Sequence, residues 1–536
     1  MTKKGVRIIS LEASEIYGKI LKNGEDIGYS LPKKKDYTLF KLFKNVLDYS
    51  LDLVELEKIY EDKCRRKFLF PDKSGYDYTY AVINVKFNYT YLSIGCALNL
   101  KQLRQYFYEN GFNVDGVHYV RYKRSSGSSR EGKCLFIDER LYKHMSKWGE
   151  CGLKNTADIA SWEAYKSLSL SSLKGLINIP LDGILYLNDY ESSFSEEVIS
   201  IEEENGKLIA EKKFANINNN IWDGESLLDE RMFTGEYKDR HMLLLRNKFF
   251  KSCAFKTRLQ KWFKDKGISS VEQLKERGFV TMATDISQIV MVTTPSSMKF
   301  LKFLKGGLTE SNVRKWSENV DCNFGVVKYD KRTKFFNGKM VQTSYQFINT
   351  LGLNEETAEQ LLKPSIDYIS SIRQDYDLMR YHFTDGIRRE IDGDDAEISD
   401  GLAERCDVIF RLMNLNYGFK ETRLYKHFRD DVVENLKKKL KVGKILLSGT
   451  NATLFGNGPE MLMAISGEFD VNVKYNESLV LSRGEIACFR FEHGRKLACA
   501  RSPHITMGNL YYATNNVRND IWNYFDLGDN VVCVNA

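Results

Sequence analysis

The stretch LLLRNKFFKSCAFKT, Leu243–Thr257, decides how this chain is read. A short apolar run leads into Arg246 and then Lys251 before apolar residues resume. Runs of this kind read as strands bounded by polar residues, so an ammonium is expected at a strand end, where it can meet a phosphate. The pattern recurs downstream: QIVMVTT, 288–294, overlaps TTPSSMKFLKFLK, 293–305, and sets Lys299 after a second apolar run. IWDGESLLDE, 221–230, precedes both and belongs to the same candidate constellation. Either lysine alone is an ordinary surface residue.

Composition bounds the surroundings of this segment. A chain of 536 residues holds several domains, and 43% hydrophobic with 12% aromatic content is enough for real cores. The net charge of +7 is mild for this length and favours phosphate ligands only where it is concentrated. The ten cysteines fall into no CxxC pair or zinc spacing, which predicts reduced thiols. MTKKGVRIIS has no apolar leader core and no run approaches a membrane span, so a cytoplasmic protein without membrane partners is expected.

Seven prolines and no Gly/Ser linker leave changes of periodicity as the only markers of domain boundaries. LKQLRQYFYEN, 100–110, puts Leu100, Leu103 and Phe107 on one face, with Asn99 as cap and Gly111 as stop. YVRYKRSSGSSREGKCLFI, 119–137, reads strand, basic loop, strand. AFKTRLQKWFKDKG, 254–267, reads as a helix with Lys256, Arg258, Lys261 and Lys264 on its surface. Residues 309–445 are mainly helical, and strands resume after Lys444.

Three further segments invite a functional reading. In RYKRSSGSSREGK, 121–133, five basic residues that include Arg124 and Arg130 bracket small hydroxyl residues, a composition suited to phosphate oxygens, although the spacing fits no phosphate loop. Asp392, Asp394 and Asp395 in REIDGDDAEISDG resemble a magnesium triad but have no apolar strand before them, so they read as an exposed acidic loop. The turn into a helix near Pro459 in LLSGTNATLFGNGPEMLMAI is explained by structure as well as by function. No Ser-His-Asp set or dinucleotide fingerprint supports a hydrolase or dehydrogenase.

Taken in order, the segments resemble the two-barrel RNA polymerases, in particular the single-chain branch of RNA-silencing RNA-dependent polymerases and their phage and bacterial relatives. RSSGSSRE is similar to that family's loop before the first double-psi β-barrel, DGES at 223–226 to its Asp-Gly turn, and RNKFFKS and SSMKF to its lysine-bearing segments. MVQTSYQFINTL, 340–351, resembles the connector and TLFGNGPEMLMAI the entry to the second barrel. CARSPHITMGN, 499–509, is similar to the Arg-x-Pro-x-x-His-x-Gly-Asp segment, with His504 directly after the proline and Asn509 in the acidic place.

The resemblance implies a multi-domain α+β chain. It divides into an N-terminal α/β region at 1–118, a basic-loop and connecting region at 119–180, a lysine-supplying double-psi barrel at 181–308, a helical connector at 309–445 and the start of a second, incomplete barrel at 446–536. By the same match Lys251, Lys299 and Arg501 are the catalytic candidates, and Arg124, Arg130, Arg246, Lys302 and His504 are the nucleic-acid or phosphate contacts. The family's Asp-x-Asp-Gly-Asp, which holds catalytic Mg2+, would follow DLGDNVVCVNA, where this sequence stops. The resemblance thus predicts a truncated or split template-dependent polymerase that takes nucleoside triphosphates and nucleic acid, with a second polypeptide supplying the aspartates, since two-metal phosphoryl transfer needs those ligands. The alternative is a polymerase-like protein that binds nucleic acid without chemistry; a third reading is a decayed product with an open strand edge.

Overall fold

The computed structural model describes residues 5–17, 45–65, 67–70, 77–87, 100–124, 127, 131–154, 158–331, 339–348, 351–382, 400–469, 480–501 and 510–535. Three large sheets organise them. The first is six-stranded, in the order β2 (Asn45–Leu47), β1 (Val6–Glu12), β3 (Tyr78–Lys86), β6 (Lys133–Asp138), β5 (Val117–Arg121), β4 (Phe112–Val114). The central strand β3 is buried on both faces, and its run AVINV reads accordingly. Helices α1 (Leu51–Cys64) and α3 (Glu139–Glu150) cover one face, and α2 (Leu100–Asn110) contributes Leu103 and Phe107 to the core on the other. Gly111 ends α2 at φ +62°, as its position predicts. Because β5 and β6 are integral to this sheet, the boundary at 118/119 falls inside β5, and the strands around the basic loop complete the N-terminal domain.

The second sheet has eight strands: β14 (Val280–Thr281), β8 (Ile184–Tyr186), β15 (Met291–Thr293), β11 (Glu225–Asp229), β13 (Phe250–Thr257), β12 (Met242–Asn247), β16 (Asn323–Tyr329) and β7 (Gly175–Asn178). Two of its pairs, β8 with β15 and β11 with β13, are parallel within an otherwise antiparallel order. The sheet extends past 181–308 at both ends, through β7 and β16. The stretch 243–257 forms a hairpin whose turn is Lys248–Phe249, with Phe249 at φ +54°. That left-handed backbone is costly for a bulky residue. Burial beside Trp162, Phe300 and Phe303 holds Phe249 there. AFKT belongs to β13, so the helix expected from 254 covers only Leu259–Asp265: the β-sheet pairing of Ala254–Thr257 overrides the local helical pattern.

Residues between the second and third sheets are mainly helical, with α4 (Glu355–Gln374), α5 (Asp400–Leu415) and α6 (Arg423–Lys441) around one small core. The strands β17 (Met340–Gln342) and β18 (Leu446–Ser448) pair beside them. The third sheet orders β19 (Thr453–Phe455), β23 (Val531–Val534), β20 (Glu485–Ala487), β22 (Leu510–Asn515) and β21 (Lys496–Ala500), with α7 (Gly458–Ser466) packed against it. Overall the chain is a mixed α+β protein with curled sheets. Among the described residues no helix is long and apolar enough to cross a membrane.

Candidate phosphate site at the seam of two sheets

The second and third sheets share one core, in which the rings of Phe255 and Phe455 lie 4.1 Å apart between centroids. Alternation along β12 and β13 determines what meets that seam. Met242 and Phe255, then Leu244 and Cys253, are cross-strand pairs facing the third sheet, while Leu243, Leu245, Phe250 and Ala254 face the opposite core. One pleat further on, the pair is Arg246 and Lys251. Two cations therefore stand at the margin of the seam, just past its last apolar pair.

Lys299 joins them from the other side. It does not follow a strand end, as its apolar run suggests, but opens the 3-10 turn Lys299–Phe303 after the loop 294–297. A buried hydroxyl network fixes that loop: Ser226 Oγ contacts Ser252 Oγ at 2.6 Å and donates to Thr293 Oγ1 at 2.7 Å, and Ser297 Oγ reaches Ser252 Oγ at 3.2 Å and the Glu225 carbonyl at 3.2 Å. The Lys251 amide donates to the Ser297 carbonyl at 3.0 Å, and Ser296 Oγ accepts from the Gly224 amide at 3.0 Å. Gly224, at φ +71°, lets the Asp223–Gly224 turn lie over this loop. Asp223 Oδ1 stands 3.9 Å from Lys299 Nζ, and Lys302 Nζ donates to the Tyr165 hydroxyl at 3.2 Å.

The electrostatics are lopsided. Burial, reinforced by the nearby ammonium groups of Lys302 and Lys251, lowers the Lys299 pKa against the raising effect of Asp223. Burial also brings the Arg246 guanidinium down to about 10. Among the described residues its buried Nε has no hydrogen-bond partner, and Nη1 donates to the carbonyl of Leu245 at 2.9 Å. Among the described residues neither Arg246 nor Lys251 has an ion-pair partner. Around Lys299, paired with the exposed Asp223, lie the Lys251 and Lys302 ammonium groups, and Arg246 stands opposite Lys251 on the neighbouring strand, a surplus of positive charge that suits phosphate oxygens. A magnesium ion does not fit this cluster, and among the described residues no group of three or more His, Cys, Asp or Glu is placed to hold a metal.

The remaining candidates lie elsewhere. Arg501 is exposed at the end of β21, the edge strand four positions across the third sheet from β19, and among the described residues no contact ties it to the lysines. Arg124 is exposed beyond β5 in the N-terminal sheet. Arg130, His504, Asn509 and the 392–395 aspartates lie outside the described residues. Within the basic loop, Lys123 is a structural residue, 3% exposed, with Nζ 3.1 and 3.0 Å from the two Asp52 carboxylate oxygens and 3.1 Å from Ser169 Oγ.

The residues that sequence reasoning missed are the hydroxyls of Ser226, Ser252 and Ser297 and the carboxyl of Glu225. All sit inside motifs that were already singled out, and the clustering of hydroxyls in DGES, FKS and PSSM is the only signal that marks them. Glu225 Oε1 accepts from the Gly456 amide at 2.6 Å, across the seam. A second tie is electrostatic: Asp526 accepts from His241 Nδ1 at 2.9 Å and from Lys256 Nζ at 2.8 Å, which holds its carboxyl well below the usual range and raises the His241 pKa. The His241 contribution is complete below its unfolded pKa of 6.5 and lost as pH rises through the higher folded value. Asp526→Ala is expected to cost about 1 kcal/mol at low pH and less at high pH, read from urea midpoints across that range; equal losses at all pH values would exclude the His241 pair as the source.

No protein-family model matches the chain, and no curated protein matches it.

Proposed function

We propose that this chain contributes the lysine-bearing part of a template-dependent RNA polymerase of the two-barrel kind, and that Lys251, Lys299, Lys302 and Arg246 bind the phosphates of a nucleoside triphosphate or of nucleic acid. The observation that carries this is the gathering of Lys251 and Lys302 about Lys299 and Asp223, with Arg246 opposite Lys251, at the seam of two curled sheets. The parallel pairs β8 with β15 and β11 with β13, set in an antiparallel order, support a double-psi reading of the eight-stranded sheet. In this reading the lysines neutralise charge that builds up on the transferred phosphates. The reading calls for magnesium-binding aspartates, which a second polypeptide would supply, and has Arg501 approach the nucleotide from the third sheet.

Binding of labelled single-stranded RNA and of ATP, followed by anisotropy, tests the site. The affinity for RNA is expected to fall steeply between roughly 50 and 200 mM salt, and Lys251→Ala and Lys299→Ala each to shallow the log–log slope by about 0.7. A folded chain that binds neither probe would overturn the proposal. Incorporation of nucleotides into RNA, with template, magnesium and a polypeptide bearing Asp-x-Asp-Gly-Asp, separates polymerase from the binding-only alternative.

A further inference from the structure

Among the described residues, strands β9 (Glu191–Glu204) and β10 (Lys207–Asn220) pair only with each other, over fourteen residues each. At about 3.4 Å per residue they form an arm on the order of 45 Å long, closed by Asn205 and Gly206, both at positive φ. Directly opposed residues of an antiparallel pair share a face. The register opposes Glu197 to Phe214, Ile199 to Lys212, Ile201 to Ala210 and Glu203 to Leu208, so Ile199, Ile201, Leu208 and Phe214 all project from one face. They are 69, 66, 76 and 75% exposed. A two-stranded ribbon gains little stability alone, and an apolar stripe on it calls for a cover.

Charge selects the cover. Residues 191–220 carry seven glutamates and three lysines, on a chain whose total is +7. An acidic arm is repelled by nucleic acid and by an identical arm, and is attracted to the basic remainder of another molecule. Among the described residues that remainder carries an apolar patch of matching character where α5 meets α6: Leu415, Tyr417 and Leu424 are 82, 57 and 48% exposed, among Lys420, Arg423 and Lys426, the last of which pairs with Glu421 at 3.5 Å. Lys420 lies over the Tyr417 ring at 4.1 Å.

We propose that the arm docks on the 415–426 patch of a second copy of this chain, in a reciprocal two-fold dimer. One arm offers on the order of 500 Å² of apolar surface, short of the roughly 800 Å² per partner that a stable interface buries, and two exchanged contacts exceed it. The inference is independent of the phosphate site.

Sedimentation velocity of the full chain at micromolar concentration reads the outcome. The wild type is expected to sediment as a dimer at low salt, and Ile201→Asp with Phe214→Asp to weaken the dimer about tenfold or more without change in the far-ultraviolet circular dichroism. Lys420→Glu with Lys426→Glu is expected to weaken it similarly, and Glu197→Lys with Glu203→Lys in that background to restore it. A monomer at all concentrations, a dimer indifferent to the arm substitutions, or a dimer sensitive to the arm but not to the Lys420 and Lys426 reversals would each overturn the proposal.

Discussion

Replacing Asp52 by alanine is expected to destabilise the N-terminal domain by about 3–5 kcal/mol, a large share of a typical domain's stability. Asp52 is fully buried, accepts two contacts from Lys123 Nζ and takes the Tyr122 hydroxyl at 2.7 Å. Its removal strands an ammonium whose pKa burial already lowers. Two refinements separate charge from packing. The loss should shrink as pH rises, because the neutral amine tolerates burial. Asp52→Leu combined with Lys123→Met should recover most of the stability, since both charges then leave together. Urea unfolding of the single and double variants checks both; a double variant as unstable as Asp52→Ala would show that shape, not charge, is decisive there.

The second large effect belongs to Glu225, 9% exposed at the seam, with Oε2 buried and unpartnered. Burial, opposed by the Gly456 hydrogen bond, pushes its pKa up to about 8 from 4.5. The folded state therefore holds a proton that the unfolded state has released, throughout that window. Stability contributed by the protonated seam is complete below 4.5, falls by about 1.4 kcal/mol per pH unit, and is lost above 8, a total of about 5 kcal/mol. Glu225→Gln keeps the acceptor for Gly456 and cannot ionise, so it should flatten this slope and leave the variant more stable than the wild type above pH 8. Urea midpoints measured across the window decide the matter: parallel slopes in the two proteins would mean that Glu225 does not report the seam.

Much of the candidate site was legible in the chain. Lys251 and Lys299 were singled out because each follows an apolar run, and Lys302 through the resemblance; the structure brings Lys251 and Lys302 near Lys299 and Asp223, with Arg246 opposite Lys251. The way Lys299 arrives was not legible. Its orientation depends on hydroxyl contacts between Ser226, Ser252, Thr293 and Ser297, which span up to 67 residues of sequence. Lys123 could not be told from its neighbours in the basic loop, because only its position opposite Asp52, 71 residues away, turns a solvated cation into a buried one.

The arm shows both sides of this division. Asn205-Gly206 between two alternating segments is a hairpin signal that local chemistry alone provides, and such turns need no tertiary help because they depend on backbone conformations that glycine and asparagine favour. Likewise the sequence by itself determined α2 with its Gly111 stop and the turn into α7, where caps and periodicity act within a few residues. Tertiary structure alone decided that 254–257 is strand, that β5 and β6 close the N-terminal sheet, and that Glu225 meets Gly456 across 231 residues. These outcomes depend on which surfaces are buried together, and burial is a property of the assembled sheets that no local window of residues contains.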